Sequence, residues 1–295
     1  MAHFPLKGMG VALITPFKED KTVDFEALER LLNLHLQSGT DFLVLLGTTA
    51  ETATLELDEQ SKIVRFVVKY IQGSIPIVVG MGGNNTKALV QRVKLFNFEG
   101  VHSILSVTPF YSRPEQEGLF QHFKALSEVS PLPVILYNVP SRTGVNMEAE
   151  TTLRIAHSCK NIIAIKEAYP NIEQVKKLIE GAPKGFSVLS GDDPMTIDLI
   201  KEGGQGVISV LGNAFPKKFS AIVRSALNGD IEKAEESFHK MDRCCKLLFV
   251  DGNPPGVKCA LYLMGYIKNE LRLPLVPASN ETQLAMKLEI ERCIK

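Results

Sequence analysis

The chain has 295 residues, 45% of them hydrophobic and 22% charged, a length that fits one large α/β domain with an appendage as well as two ordinary domains. Its 33 basic and 33 acidic residues cancel, which excludes the electrostatic footprint of a nucleic-acid or anionic-membrane binder. The most apolar N-terminal run, residues 8–15, is too short to span a bilayer and lacks the charged lead-in and cleavage site of a signal peptide.

Apolar, β-rich runs recur from end to end, each followed by a segment of helical periodicity. They cover residues 10–15, 42–46, 75–79, 101–107, 134–137, 162–166, 186–189 and 207–210. Between the first two, Phe25, Leu28, Leu31, Leu32 and His35/Leu36 share one face of a helix that Asp24 can cap. After Ser61 a similar face runs through Ile63, Phe66, Val67 and Tyr70. Strands that are apolar throughout, alternating with helices, predict a parallel sheet covered on both faces. Eight such units predict a closed (β/α)8 TIM barrel over residues 1–215 rather than a doubly wound sheet, and no dinucleotide-binding glycine pattern follows the first run. From about residue 216 the strand signals stop. Amphipathic segments at 219–227, 231–249 and 255–268 predict a C-terminal helical extension over 216–295, packed on the barrel. The five cysteines, Cys159, Cys244, Cys245, Cys259 and Cys293, lack paired spacing and fit reduced thiols in the cytoplasm. The six histidines are scattered, so no metal site is indicated.

In such a barrel, chemistry gathers where strands end and βα loops begin. The sixth run, Ile162-Ile163-Ala164-Ile165-Lys166, ends in a lysine among apolar residues. Burying an unpaired ammonium costs several kcal/mol, so such a lysine either reaches back to water or gives up its proton. In the second case the neutral amine can attack a carbonyl and form a Schiff base. Strand alternation puts Tyr137 on a face with Ile135, and Lys166 on a face with Ala164 and Ile162. If both faces point inward, the phenol and the amine stand on strands about 5 Å apart, a proton-transfer pair for making and resolving an imine.

Other strand ends offer anchors. Gly47-Thr48-Thr49-Ala50-Glu51 presents two hydroxyls and free N–H groups to a carboxylate, or is a simple threonine-rich turn. Pro109-Phe110-Tyr111-Ser112-Arg113-Pro114 fixes two rings on a loop, as a hydrophobic contact with a neighbouring segment or as a subunit interface, and neither excludes catalysis by Tyr111. Arg142 can hold a carboxylate bidentately or form a surface ion pair. Ser190-Gly191-Asp192-Asp193 follows the seventh run, where two aspartates would repel a phosphate. The loop Gly80-Met81-Gly82-Gly83-Asn84-Asn85 lacks the lysine and hydroxyl of a phosphate-binding loop and reads as a turn.

Taken together, G-T-T-A-E at 47–51, V-T-P-F-Y at 107–111, Y-N-V-P-S-R-T-G at 137–144, I-K-E-A at 165–168, S-G-D-D at 190–193 and G-V-I-S-V at 206–210 resemble the dihydrodipicolinate synthase/N-acetylneuraminate lyase family of Schiff-base pyruvate enzymes. Within it, Thr48-Thr49 and Arg142 side with the synthase branch rather than the lyases. The resemblance implies that Lys166 forms the imine with pyruvate, whose enamine attacks L-aspartate 4-semialdehyde, a step toward diaminopimelate and lysine. Tyr137, Thr48 and Tyr111 would relay protons, Thr48 and Thr49 would bind the pyruvate carboxylate, and Arg142 that of the semialdehyde. Gly191 and Asn253 match positions near the second substrate, and the Ile208 backbone carbonyl is expected near the lysine. No cofactor or metal is implied. Tyr111 is expected from a neighbouring subunit of a homotetramer built as a dimer of dimers.

The sequence also departs from the family pattern. Ala50 replaces a glycine, which asks whether that turn needs positive φ. Tyr169-Pro170 and Pro254-Pro255-Gly256 are unusual, but remove no reacting group. Leu57, Gln60, Ala88 and Phe110 stand where lysine-inhibited members carry histidines, a glutamate and a tyrosine, so feedback by L-lysine is expected to be weak or absent. Two competing readings are a 2-keto-3-deoxy sugar acid or neuraminate lyase and a non-catalytic barrel. Arg142 and the double threonine oppose the first. The intact Lys166, Tyr137, Thr48, Tyr111 and Arg142 oppose the second.

Overall fold

The computed structural model describes residues 6–294. Its strands are β1 (Gly8–Ala12), β2 (Phe42–Leu45), β3 (Ile77–Gly80), β4 (Ser103–Val107), β5 (Val134–Asn138), β6 (Ile162–Glu167), β7 (Ser187–Ser190) and β8 (Gly206–Ser209). They pair in parallel in chain order, and β1 closes on β8 through Gly8–Gly206 and the next three residue pairs. The helices wound around them are α1 (Phe25–Ser38), α2 (Leu57–Ile71), α3 (Thr86–Leu95), α4 (Gln116–Val129), α5 (Pro140–Thr143), α6 (Ala149–Ser158), α7 (Ile172–Gly181), α8 (Thr196–Lys201) and α9 (Pro216–Leu227). The extension continues with α10 (Ile231–His239), α11 (Asp242–Val250), α12 (Pro255–Leu263) and α13 (Asn280–Ile294). This is the TIM barrel with a C-terminal helical extension that the alternating pattern predicts.

The strands read as unbroken apolar runs because both faces are covered. Phe42, Val44, Ile135, Ala164, Leu189 and Ile208 meet inside the barrel, while Leu43, Leu45 and Leu136 face the helices. Asp24 caps α1 by accepting from the Ala27 N–H at 3.0 Å. The 80–85 loop leads into α3, whose first turn the Asn85 side chain caps through the Ala88 N–H at 3.1 Å. Gly80 is required by space, since a Cβ there would overlap the Leu46 carbonyl oxygen.

The extension is not a detached module. Helix α9 lies against β1, β8 and α1, α10 packs on α9 and α8, and α11, α12 and α13 pack on one another. Phe219, Cys244, Val257 and Met286 belong to the same core as Leu31 of α1. No helix among the described residues is long and apolar enough to cross a membrane.

Four local readings need correction. The first strand begins at Gly8, two residues before the predicted run, and ends at Ala12. Helix α2 starts at Leu57, ahead of Ser61, because Glu56 and Glu59 form a reciprocal cap. The single segment expected at 231–249 is broken where Met241 turns into the core. Finally, β6 does not alternate cleanly. Val134 pairs with Ile162 but Ile135 with Ala164, so Ile163 is an extra residue. Ile162 therefore faces the helices and Ile163 packs toward the barrel interior. Beyond that bulge the alternation resumes and carries Lys166 inward.

Candidate active site

Lys166 lies at the C-terminal end of β6, in register with Tyr137 on β5 and Leu189 on β7. It is only 5% exposed, and its Nζ stands 4.3 Å from the centre of the Tyr137 ring. The amine is thus held over an aromatic face at the mouth of the barrel. A cavity of about 190 Å³ surrounds it, and Thr48, Thr49, Tyr137, Arg142, Gly191 and Asn253 all line that cavity. A second cavity of about 490 Å³ shares Thr48, Tyr137, Arg142 and Asn253 with the first and is also lined by Phe110.

Gly191 is where it is because Lys166 needs the room. A Cβ there would lie 2.7 Å from the Ala168 Cβ and 3.0 Å from Cγ and Cε of Lys166, closer than side-chain carbons pack. The Gly191 N–H donates to the Glu167 carbonyl at 2.6 Å, which fixes the loop after β7 to the end of β6.

Thr48 and Thr49 sit in a one-turn helix, Thr48–Ala50, directly after β2. The left-handed residues on either side are Leu46 and Glu51, both at φ 55°. Ala50 lies inside the turn with ordinary helical geometry, so the family's usual glycine is not demanded there. Holding non-glycine residues at positive φ costs on the order of 1 kcal/mol each. Side-chain contacts fix this conformation. Asn253 Nδ2 donates to Thr49 Oγ1 at 2.9 Å, and the Asn253 carbonyl accepts from Arg142 Nη2 at 3.2 Å. The Glu51 carboxylate accepts from Lys258 Nζ and, at 2.9 Å, from the Arg272 N–H. Burial pushes the Lys258 ammonium down to about 8, against the pull of the Glu51 charge.

Two of the nine predicted positions are not among the residues lining the Lys166 cavity. Tyr111 is 90% exposed, at φ 72° on its loop, and lines neither cavity of its own chain. Ile208 is fully buried on β8, its side chain packed among the interior side chains, while the expectation for it concerned its backbone carbonyl. The other seven converge.

Three acidic groups near the lysine, Asp192, Asp193 and Glu167, are not among the residues the sequence assigns to catalysis or substrate binding. Asp192 lines the Lys166 cavity, and burial, then the neighbouring Asp193 charge, raise its carboxyl to about 6. Asp193 is raised too, chiefly by burial, while it accepts from the Val210 and Leu211 N–H groups at 3.1 and 2.8 Å. Glu167 points away from the cavity, into a polar knot behind it. Its carboxyl accepts from Asn138 Nδ2 at 2.9 and 3.1 Å, Gln174 Nε2 at 3.0 Å and the Tyr169 N–H at 2.8 Å. That last bond holds the unusual Tyr169-Pro170 segment. The only sequence signal for the knot was a glutamate following an inward lysine, hence on the opposite face.

The sequence matches the dihydrodipicolinate synthetase family over residues 5–293. The chain belongs to that family. A 4-hydroxy-tetrahydrodipicolinate synthase of Parabacteroides distasonis is 56% identical over 277 residues, covering 94% of this chain and 93% of that protein. A dihydrodipicolinate synthase structure from Thermotoga maritima is similar at a TM-score of 0.95 and 42% identity, covering 98% of this chain and 99% of that one. A monomeric dihydrodipicolinate synthase variant is similar at a TM-score of 0.95 and 43% identity, over 97% and 96% of the two chains. These relatives are named as synthases, in line with Arg142 and the double threonine.

Glu167 makes stability depend on pH. Burial raises its carboxyl from the ordinary 4.5 to about 7. The native state keeps the proton after the unfolded chain has lost it, so this stabilisation is present below about pH 4.5 and is lost as pH rises through about 7. At about 1.4 kcal/mol per unit the effect is about 3 kcal/mol. Denaturant unfolding should therefore show Glu167→Gln gaining about 3 kcal/mol relative to the parent between about pH 4.5 and pH 8. A difference that stays constant with pH contradicts this assignment.

Proposed function

We propose that this chain carries out the reaction of the 4-hydroxy-tetrahydrodipicolinate synthases, condensing pyruvate with L-aspartate 4-semialdehyde. The observation that carries the reading is the buried Lys166 amine against the Tyr137 ring, in a cavity shared with Thr49 and Arg142. The Lys166 amine adds to C2 of pyruvate, and loss of water gives the iminium. Loss of a C3 proton gives the enamine. Its C3 attacks the aldehyde carbon, whose oxygen takes up a proton and becomes the hydroxyl of the product. The amino group of the semialdehyde then adds to the imine carbon and displaces Lys166, closing the ring. One water is released in all.

Tyr137 is assigned to pass protons to and from the lysine adduct, a role supported by its ring lying 4.3 Å from Lys166 Nζ and by Thr48 lining the same cavity. Thr48 and Thr49 are assigned to the pyruvate carboxylate. Arg142, at the junction of the two cavities, is assigned to the semialdehyde carboxylate. The lysine imine is the electron sink, so the reaction needs neither a cofactor nor a metal. Tyr111 is assigned to the site of a second copy, in a homotetramer made of two dimers. Its exposure and outward-held loop support this reading. The free, buried cysteines support a reducing, cytoplasmic setting.

Purified protein should consume both substrates together, and Lys166→Ala should be inactive. Arg142→Ala should raise KM for the semialdehyde about tenfold or more while KM for pyruvate changes less than about threefold. Equal rises in the two KM values contradict the assignment of Arg142.

Inhibition by L-lysine should be weak or absent. Gln60 donates to the Leu55 carbonyl at 2.8 Å and accepts from Arg92, so its amide is already engaged. Leu57, Ala88 and Phe110 offer no charged group. An inhibition constant in the micromolar range contradicts this.

A further inference from the structure

The C-terminal extension meets the threonine turn at two points on one short stretch. Asn253, just before α12, donates to Thr49 Oγ1 at 2.9 Å. One turn into α12, Lys258 Nζ donates to the Glu51 carboxylate, and both side chains are fully buried. Glu51 is also the residue that closes the turn, since its N–H donates to the Thr48 carbonyl at 3.1 Å. Its carbonyl accepts from the Thr54 N–H at 2.9 Å, and its backbone is left-handed at φ 55°. A carboxylate held on both oxygens, by Lys258 and by the Arg272 N–H, keeps that backbone where it is.

Lys258 has little freedom of its own. Its Nζ also donates to the Glu270 carbonyl at 2.9 Å and stands 4.2 Å from the centre of the Phe17 ring. A fully buried ion pair is a poor source of net stability, because desolvating two charges offsets their attraction. What it supplies is a fixed position: the ammonium is held by two hydrogen bonds and the Phe17 ring, and each carboxylate oxygen by one donor, so few other arrangements are allowed.

We propose that the Glu51–Lys258 pair is a positioning device for the first substrate, through which the helical extension holds the Thr48-Thr49 turn in the geometry that receives the pyruvate carboxylate. This rests on the proposed assignment of those threonines. Neither Glu51 nor Lys258 need touch pyruvate. They act through the turn, and a shift of the turn weakens pyruvate capture more than it slows the later steps on the bound imine.

The test is steady-state kinetics on the full chain with Glu51→Gln and Lys258→Met combined, which replaces the pair by neutral groups of similar shape and strands no buried charge. Thermal unfolding checks that the variant is folded. KM for pyruvate should rise about tenfold or more, with KM for the semialdehyde and kcat at saturating pyruvate within about threefold of the parent. Lys258→Arg keeps the charge but moves its head group, and should raise the pyruvate KM by about threefold or more. It provides the same readout if the neutral pair does not fold. An unchanged pyruvate KM in a folded variant overturns the proposal, as does a parallel loss for both substrates, which marks a merely structural role. Trapping of pyruvate by the parent protein is measured alongside. If the parent forms no adduct, the underlying assignment of the lysine fails. If it does, Thr49→Val separates the two remaining readings: a parental pyruvate KM in that variant fails the threonine assignment, whereas a raised one, with an unaltered KM in the pair variant, condemns the positioning role alone.

Discussion

Lys166 is a charged residue's side chain placed where a packed barrel has apolar ones. The position exists only because the sheet closes. In an open sheet the inward face of β6 would need another layer over it, whereas here Tyr137, Ala164 and Leu189 share an enclosed interior whose upper end opens at the loops. Closure in turn depends on eight runs apolar on both faces and on helices to cover the outside. The lysine is therefore the point on which core packing and chemistry meet: the side chains that pack the barrel also strip water from the amine, and Gly191 leaves it room.

Around that amine the supporting contacts form two shells that differ in kind. The inner one is made by strand register, which places Tyr137 next to Lys166 without any dedicated hydrogen bond. The outer one is made by loops and is held by polar contacts over long sequence distances. Glu51 meets Lys258, Thr49 meets Asn253, and Arg142 meets the Asn253 carbonyl. The extension is thus part of the site's rim, and the turn after β2 depends on it.

Much of this was legible in the residues, for identifiable reasons. Period-two alternation and the lengths of the apolar runs are local properties, so the strands, the barrel and the inward pairing of Tyr137 with Lys166 could be read directly. The β6 bulge could not, because Ile162 and Ile163 are chemically identical and only the partner strand decides which of them faces in. The pairing of Glu51 with Lys258 was equally hidden: 207 positions separate them, and each alone reads as a surface charge. Asp192 and Glu167 fall between these cases. Their identities were visible, but the direction in which burial moves their carboxyls depends on neighbours that only the fold supplies. Helix α13, with its weakly patterned sequence, was covered only by the general expectation of a helical extension.

The proposed chemistry depends on Lys166 as the nucleophile. The most direct measurement is borohydride reduction of the protein with pyruvate, followed by proteolysis and mass spectrometry. One reduced pyruvyl adduct per chain is expected, on the peptide containing Lys166, and it should be lost in Lys166→Ala. No adduct, or an adduct on another lysine with Lys166 unmodified, would contradict this chemistry.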